Sequence, residues 1–498
     1  MESQILKRAR EYEQIEEKNI KKEDRPEIHL SPRIGWMNDP NGFSYYNGKY
    51  HMFYQYHPYS KQWGPMHWGH AVSTDLLHWE YLPTAMAPDE AYDKNGCFSG
   101  SAVTLPDGRQ LLMYTGALLN EQEDGVIEEF QTQCVAVGDG LNYEKYEGNP
   151  VLDGKDLPKG ASRKDFRDPK IWQTADGKFL SVVGNRSEDG SGQILLFGSQ
   201  DGFHWKFESI LIANHNRFGR MWECPDLFEL DGKWVLITSP QDMLPQGFEY
   251  DNGNGTLCMI GEMDREAKEF YEENNQAVDY GLDFYAPQTM LSPDGRRIMI
   301  GWMQNWDTCG FELTECEEKQ WIGQMSIPRE LSIKNNRLCQ MPVRELEDLR
   351  RNKIEYKNTK FSDHLQLEGI VGRVIDMEIR IRPADKEKIY SKVSLHLAEN
   401  ERFYTSVSFR TEDSLLKVNR KFSGIRRAAV HQKKCKVQSE DGELKLRIIL
   451  DRYSLEVFAN DGEQVMSMAI NTDQSAQGIS FCADGAVEMD IVKYDLLE

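Results

Sequence analysis

Three acidic residues stand in short, proline-containing motifs: Asp39 in WMNDPNG (36–42), Asp168 in FRDPK (166–170) and Glu223 in MWECPD (221–226). Each lies nine residues before the glycine of an Asn/Asp-Gly-Lys turn, at Gly48, Gly177 and Gly232. Two more turns of this type, DGR at Gly108 and Gly295, put Ser99 and Ala286 at the same offset. Local turn chemistry alone explains Asp39, because Pro40 presets φ, Gly42 permits a positive φ and an aspartate caps its own backbone. It does not explain three acids in one register. Clustered carboxylates suit glycoside cleavage, in which one acts as nucleophile or base, another as proton donor, and a third can hold the sugar hydroxyls. Such clustering also spreads their pKa values, since neighbouring anions leave a proton on the more poorly solvated group. Arg167 is expected to hold Asp168 ionised, and Glu223, between Trp222 and Cys224, is expected to be the protonated acid.

For residues so far apart in sequence to meet, a repeated element must carry them. The five turn glycines are 60, 69, 55 and 63 residues apart and are flanked by short apolar or alternating stretches such as YHMFYQY, QLLMYTG, FLSVVG, WVLITS and RIMIGW. Each unit reads as a β-hairpin. STDLLHWEY, GDGLNYEKY and SQDGFHWKF add an outer strand to three of them. Repeats of this length with several strands predict a five-bladed β-propeller over residues 28–335, whose innermost strands bring equivalent positions together at one end of the axis.

At 498 residues the chain exceeds a single ordinary core, so two domains are expected. A formal charge of -22 argues against nucleic acid and anionic membrane surfaces as partners. The charged N-terminal stretch 1–27 lacks the apolar run of a secretory signal, and no later stretch approaches the roughly 18 apolar residues of a membrane helix. Nine cysteines without a C-x-x-C pair read as reduced thiols rather than a disulfide frame or zinc site. A cytoplasmic location follows, which leaves the sequon-like Asn185-Arg186-Ser187 without a role. His67 and His70 have no third ligand at a recognisable spacing, so no metal is expected.

WMNDPNG, FSGS (98–101), FRDP (166–169), ECPD (223–226) and DFYA (283–286), in this order, resemble glycoside hydrolase family 32, the invertases, sucrose-6-phosphate hydrolases and fructanases. The resemblance implies Asp39 as the nucleophile, Glu223 as acid and then base, and Asp168 as the residue that holds fructose hydroxyls and stabilises the transition state. It also implies fructose contacts from Asn38, Gln55, Trp63, Phe98, Ser99, Arg167, Tyr285 and Trp306, with no cofactor. For the four aromatics a core role fits general burial tendencies as well as a sugar platform does.

From about 336 the pattern changes. MPVRELEDLRRN suits a short connecting helix in a linker spanning 336–360, and strands follow. Ile375, Met377, Ile379 and Ile381 share one face of VIDMEIRIR, and Leu444, Leu446, Ile448 and Leu450 share one face of ELKLRIIL, so 361–498 is expected to be a β-sandwich. SLEVFANDGEQVMSMAI resembles the sandwich strands of the same family. The fold class is thus all-β, a propeller followed by a sandwich, with a secondary role for the sandwich in sugar binding or subunit contact. The expected activity is retaining hydrolysis of sucrose-type fructosides, without nucleic-acid or membrane partners and with self-association left open. Fructosyl transfer, fructan or arabinan hydrolysis, and a catalytically silent sugar-binding propeller are the alternatives. Lys61, Arg163, Lys164, Arg217 and Arg220 are candidates for a phosphate on the substrate.

Overall fold

The computed structural model describes residues 2–121, 125, 127–266, 268–309, 319–424 and 430–496. Five sheets follow one another from Gly35 to Pro342, and two six-stranded sheets make up the rest. The architecture is nearly all-β, a propeller followed by a β-sandwich.

The five Asn/Asp-Gly turns all join the first strand of a sheet to its second. Two are two-residue hairpins in which both turn residues have positive φ, 48° and 81° at Asn47-Gly48 and 49° and 79° at Asp231-Gly232. This is the geometry that matches the right-handed twist of the flanking strands, which is why an amide or acid followed by glycine recurs there. The first strands are Gly35–Tyr46, Gly96–Thr104, Phe166–Gln173, Trp222–Leu230 and Tyr285–Leu291. Each packs against the next, and the last packs against the first, so the five close a ring. The ring is fastened where Trp321–Ile322 pairs in parallel with Gly35 and Trp36.

In the sandwich, Ile375–Pro383 pairs antiparallel with Leu444–Asp451 in the register Ile375 to Leu450, Met377 to Ile448, Ile379 to Leu446 and Ile381 to Leu444. All eight side chains are buried in one core, so the two expected apolar faces coincide. Within 336–360, the segment expected as a linker, Arg337–Pro342 completes the fifth sheet and Arg350–Phe361 begins the sandwich. Only the 3-10 turn Arg344–Leu349 stands between the sheets. The charged N-terminal stretch contains a helix, Gln4–Glu16, capped by the Ser3 hydroxyl, which accepts from the Leu6 N–H. Glu13 is buried, and its carboxylate accepts from the Thr84 N–H and hydroxyl at 2.9 and 2.7 Å.

The two parts are joined by buried charges. His29 lies between Asp451 Oδ2 at 2.8 Å and Glu456 Oε1 at 2.9 Å. Arg329 reaches Asp279 at 3.0 Å and Glu456 at 2.5 Å, and Arg420 reaches Asp283 at 2.5 Å. Charges withdrawn from water hold only when paired. Each cation here has its anion.

Candidate active site

All five first strands interrupt their ladders at the same level. The register slips between Met37 and Pro40, between Phe98 and Gly100, opposite Gly184, between Glu223 and Asp226, and between Tyr285 and Gln288. A bulge leaves residues unpaired and re-aims side chains, here towards the axis. Asp168, Cys224 and Ala286 have φ of 65°, 48° and 50°, and each precedes a proline. Non-glycine residues at positive φ are costly and persist where surrounding structure over-determines them.

The bulges correct the nine-residue register. The residue of the fourth sheet that matches Asp168 is Cys224, not Glu223, because the stretch from the bulge proline to the turn glycine is one residue shorter there (225 to 232) than in the third sheet (169 to 177). Glu223 instead matches Arg167 and Tyr285, the last paired residues before their bulges. Two tiers result. Asp39, Asp168 and Cys224 form one, and Arg167, Glu223 and Tyr285 form the other.

Within the first tier, Cys224 Sγ is 3.6 Å from both Asp39 Oδ2 and Asp168 Oδ2. The Cys224 N–H donates to Asp168 Oδ2 at 2.9 Å. Asp39 accepts from Ser99 Oγ at 2.8 Å and from Asn38 Nδ2 at 3.1 Å, and Trp36 Nε1 fixes the Asn38 amide by donating to its oxygen at 2.7 Å. In the second tier both Glu223 oxygens are occupied, Oε1 by Arg167 Nε at 3.0 Å and Oε2 by the Tyr285 hydroxyl at 2.6 Å. Asp165 and Gln131 hold the other side of the guanidinium, at 3.0 and 3.2 Å from Nη1.

Electrostatics differ from the expectation for Asp168. Burial, followed by Glu223, pushes Asp39 up to about 6. Burial also raises Asp168, to about 7; Arg167 opposes this, while Glu223 and Asp39 add to it. Arg167 lowers the Asp168 pKa without offsetting burial, because its guanidinium is engaged by Glu223 at 3.0 Å and lies 4.0 Å from Asp168. Burial works against the charge of Arg167, but Glu223, Asp168 and Asp165 together hold its pKa above the usual value. Burial and then Glu223 raise Tyr285 well above a free phenol, and burial followed by the surrounding carboxylates does the same to the Cys224 thiol. Both therefore act as hydrogen-bond donors here.

Of the remaining candidates, Gln55 lies opposite the first bulge and donates to the Cys97 carbonyl at 3.0 Å. Phe98 and Trp306 border the apolar cluster that contains Trp36, Tyr285 and Trp302. Trp306 stacks on Trp36 with centroids 6.5 Å apart. Trp63 is 49% exposed and meets Phe98 edge-on at 6.0 Å. His67 and His70 turn to different partners, the Pro65 carbonyl and His51 Nδ1, both at 3.0 Å. Among the described residues no cluster of His, Cys, Asp and Glu could hold a metal ion. Sequence reasoning passed over Cys224, Thr115, whose hydroxyl accepts the Asp168 N–H at 2.9 Å, and Asp165. The signal for Cys224 was the proline that follows it, as proline follows Asp39 and Asp168.

A propeller whose axis ends in three carboxylates, a guanidinium and flanking aromatics has the equipment of a carbohydrate-cleaving hydrolase. Residues 29–342 match the glycosyl hydrolases family 32 N-terminal domain, and residues 345–496 match the family 32 C-terminal domain. The chain belongs to glycoside hydrolase family 32. It is 37% identical to a raffinose invertase of Escherichia coli, with 92% of each chain covered. Identity to a sucrose-6-phosphate hydrolase of Bacillus subtilis is 34%, over 98% of each chain. A GH32 β-fructofuranosidase of Bombyx mori superposes with a TM-score of 0.83 at 36% identity, covering 99% of this chain and 98% of that one. A mutant of that enzyme, solved in complex with sucrose, gives 0.84 at 35% identity, covering 100% and 99%.

Proposed function

We propose that the chain is a retaining β-fructofuranosidase that hydrolyses the fructosyl bond of sucrose and short fructo-oligosaccharides. The observation that carries this reading is the two-tier arrangement. Asp39, fixed by Ser99 and Asn38, faces the axis on one tier, and Glu223, held between Arg167 and Tyr285, does so on the next. In this reading Asp39 attacks the anomeric carbon and the bond to the leaving oxygen breaks as Glu223 delivers its proton. Water activated by Glu223 then releases fructose from the covalent intermediate. Asp168 takes the sugar hydroxyls, with its lone pairs aimed by the Cys224 N–H and its backbone fixed by Thr115. We read the five sheets as five blades around one axis. The closed ring of first strands and the recurrence of the bulge in every one of them support this count.

The names of the relatives leave open whether the sugar carries a phosphate. Of the cations considered for it, Arg217 is held by both oxygens of Glu272 at 2.8 and 2.9 Å, and Lys164 pairs with Glu129 at 3.2 Å. Arg163 lies over Phe130 at 5.0 Å. Unmodified sucrose is accordingly the proposed substrate; Arg220, exposed three residues before Glu223, and Lys61 remain the cations to test for a phosphate contact. Release of free fructose from sucrose by the purified protein tests the reading. Asp39→Asn and Glu223→Gln should each lower kcat by several decades with the fold intact by circular dichroism, roughly the cost of losing a nucleophile or a general acid. Wild-type turnover in either variant would remove that residue from the mechanism.

A further inference from the structure

The channel has a second end. Beyond the carboxylates it narrows to Pro40, Pro169, Pro225 and Pro287. It is then closed by an ion pair between Lys170 Nζ and Asp226 Oδ2 at 2.9 Å, with Lys170 also donating to the Thr289 carbonyl at 2.5 Å. Past this plug, the far ends of all five first strands open into a cavity of about 1170 Å³.

Arg297 lines this cavity with its guanidinium over the Phe228 ring, 4.6 Å from the centroid. Among the described residues it makes one hydrogen bond, a long one of 3.5 Å from Nη1 to Thr289 Oγ1, and its buried Nε has no partner. The carboxylate that acts on it, Asp226, is shared: Oδ2 accepts from Lys170 and from the Thr289 N–H at 2.6 Å, while the buried Oδ1 has no hydrogen-bond partner among the described residues. Burial accordingly depresses the Arg297 pKa, with Asp226 alone opposing. Other cations around the cavity have partners: Lys178 pairs with Asp176 and Arg265 with Glu229, both at 2.8 Å, and Lys268 pairs with Glu208. Lys206 at the rim forms no ion pair among the described residues. In a chain of net charge -22, this cavity holds uncompensated positive charge beside two half-buried indoles, Trp172 and Trp234.

A desolvated guanidinium that must share its one neighbouring carboxylate with a lysine is under-compensated, and a phosphate offers it paired, charge-assisted hydrogen bonds. Concave, largely apolar walls with a few convergent polar groups are the usual form of a small-molecule site. We propose that this cavity is a second ligand site, separate from the carboxylate cluster, that binds a small phosphorylated organic molecule, its phosphate on Arg297 and its ring against Trp172 or Trp234.

Calorimetric titration of the full chain with glucose 6-phosphate tests this, with fructose at saturation to occupy the carboxylate end and with glucose and inorganic phosphate as component probes. The expected result is one site with a Kd of about 1 mM or tighter, weaker binding of inorganic phosphate and none of glucose. Arg297→Gln should weaken binding at least tenfold, about 1.4 kcal/mol, and Arg297→Lys should restore part of it. Leu180→Trp, which sets a second indole across the ladder from Trp172 and leaves Arg297 in the sequence, should weaken binding and serves if Arg297→Gln fails to fold. No binding up to about 10 mM would overturn the proposal. So would binding lost in Arg220→Gln but kept in Arg297→Gln, which would place the ligand at the other end, or equal binding of glucose 6-phosphate and inorganic phosphate, which would leave only a non-selective anion contact.

Discussion

The raised pKa values make the acid limb of the pH profile a direct reading of the carboxylate cluster. Asp39 moves from 3.8 to about 6 and Asp168 to about 7, with burial the largest cause for both and Glu223 adding to each. For Asp39 this is roughly 3 kcal/mol of preference for the neutral form. Only the ionised aspartate is a nucleophile, so activity is retained above these values and lost as pH falls through them. The two groups interact, so the limb belongs to the pair. The acid limb of kcat/KM should therefore fall between about 6 and 7 rather than near 4. Glu223→Gln keeps the shape of the side chain and removes the carboxyl group that adds to burial at Asp39. Burial is the larger cause and Glu223 the second, so its removal should lower the limb without returning it to the ordinary aspartate range. Such a variant cannot protonate a sugar leaving group. The assay therefore needs fructosyl fluoride, whose departing anion requires no proton, with kcat/KM followed from about pH 4 to 8 for both proteins. A wild-type limb near 4, or one that Glu223→Gln leaves in place, would refute the reasoning.

Three further outcomes follow from the same geometry. The first-formed fructose should be the β anomer by NMR, and a crystal structure should place the Asp39 and Glu223 carboxyl groups about 5 to 5.5 Å apart; an α product would mean inversion instead. Burial opposes a charge on His29, but Asp451 and Glu456 raise it to about 9, so the stability it contributes is complete below about 6.5 and lost as pH rises through 9; His29→Gln should flatten the fall of Tm over that window, worth roughly 3 kcal/mol in the wild type. Sucrose-6-phosphate should be at most comparable to sucrose in kcat/KM, and a preference of about a hundredfold, roughly 2.7 kcal/mol, would reverse the substrate assignment and should then vanish in Arg220→Gln.

What the sequence disclosed was what local chemistry must encode. A two-residue hairpin needs positive φ twice, so Asn47-Gly48 and Asp231-Gly232 announce themselves, and half-buried sandwich strands must alternate, so the faces of Ile375–Pro383 and Leu444–Asp451 could be read and paired. Counting from those turns carried the reading to the right end of each first strand but not to the right tier. The stretch from bulge proline to turn glycine sets the count, and it is one residue shorter in the fourth sheet, so an unchanging offset matched Glu223 with Asp168 where the bulge matches Cys224. The misreading of Arg167 has the same root. On the tier of Glu223 its guanidinium meets that carboxylate, while adjacency in sequence to Asp168 leaves a separation of 4.0 Å. Contacts made only by the closed fold left no trace. His29 and Glu456 are 427 residues apart, and nothing local requires a histidine before the first strand or a glutamate inside an apolar one. That buried pair was hidden for the reason that fixes the two parts together: neither charge is tolerated where it stands until the other has arrived.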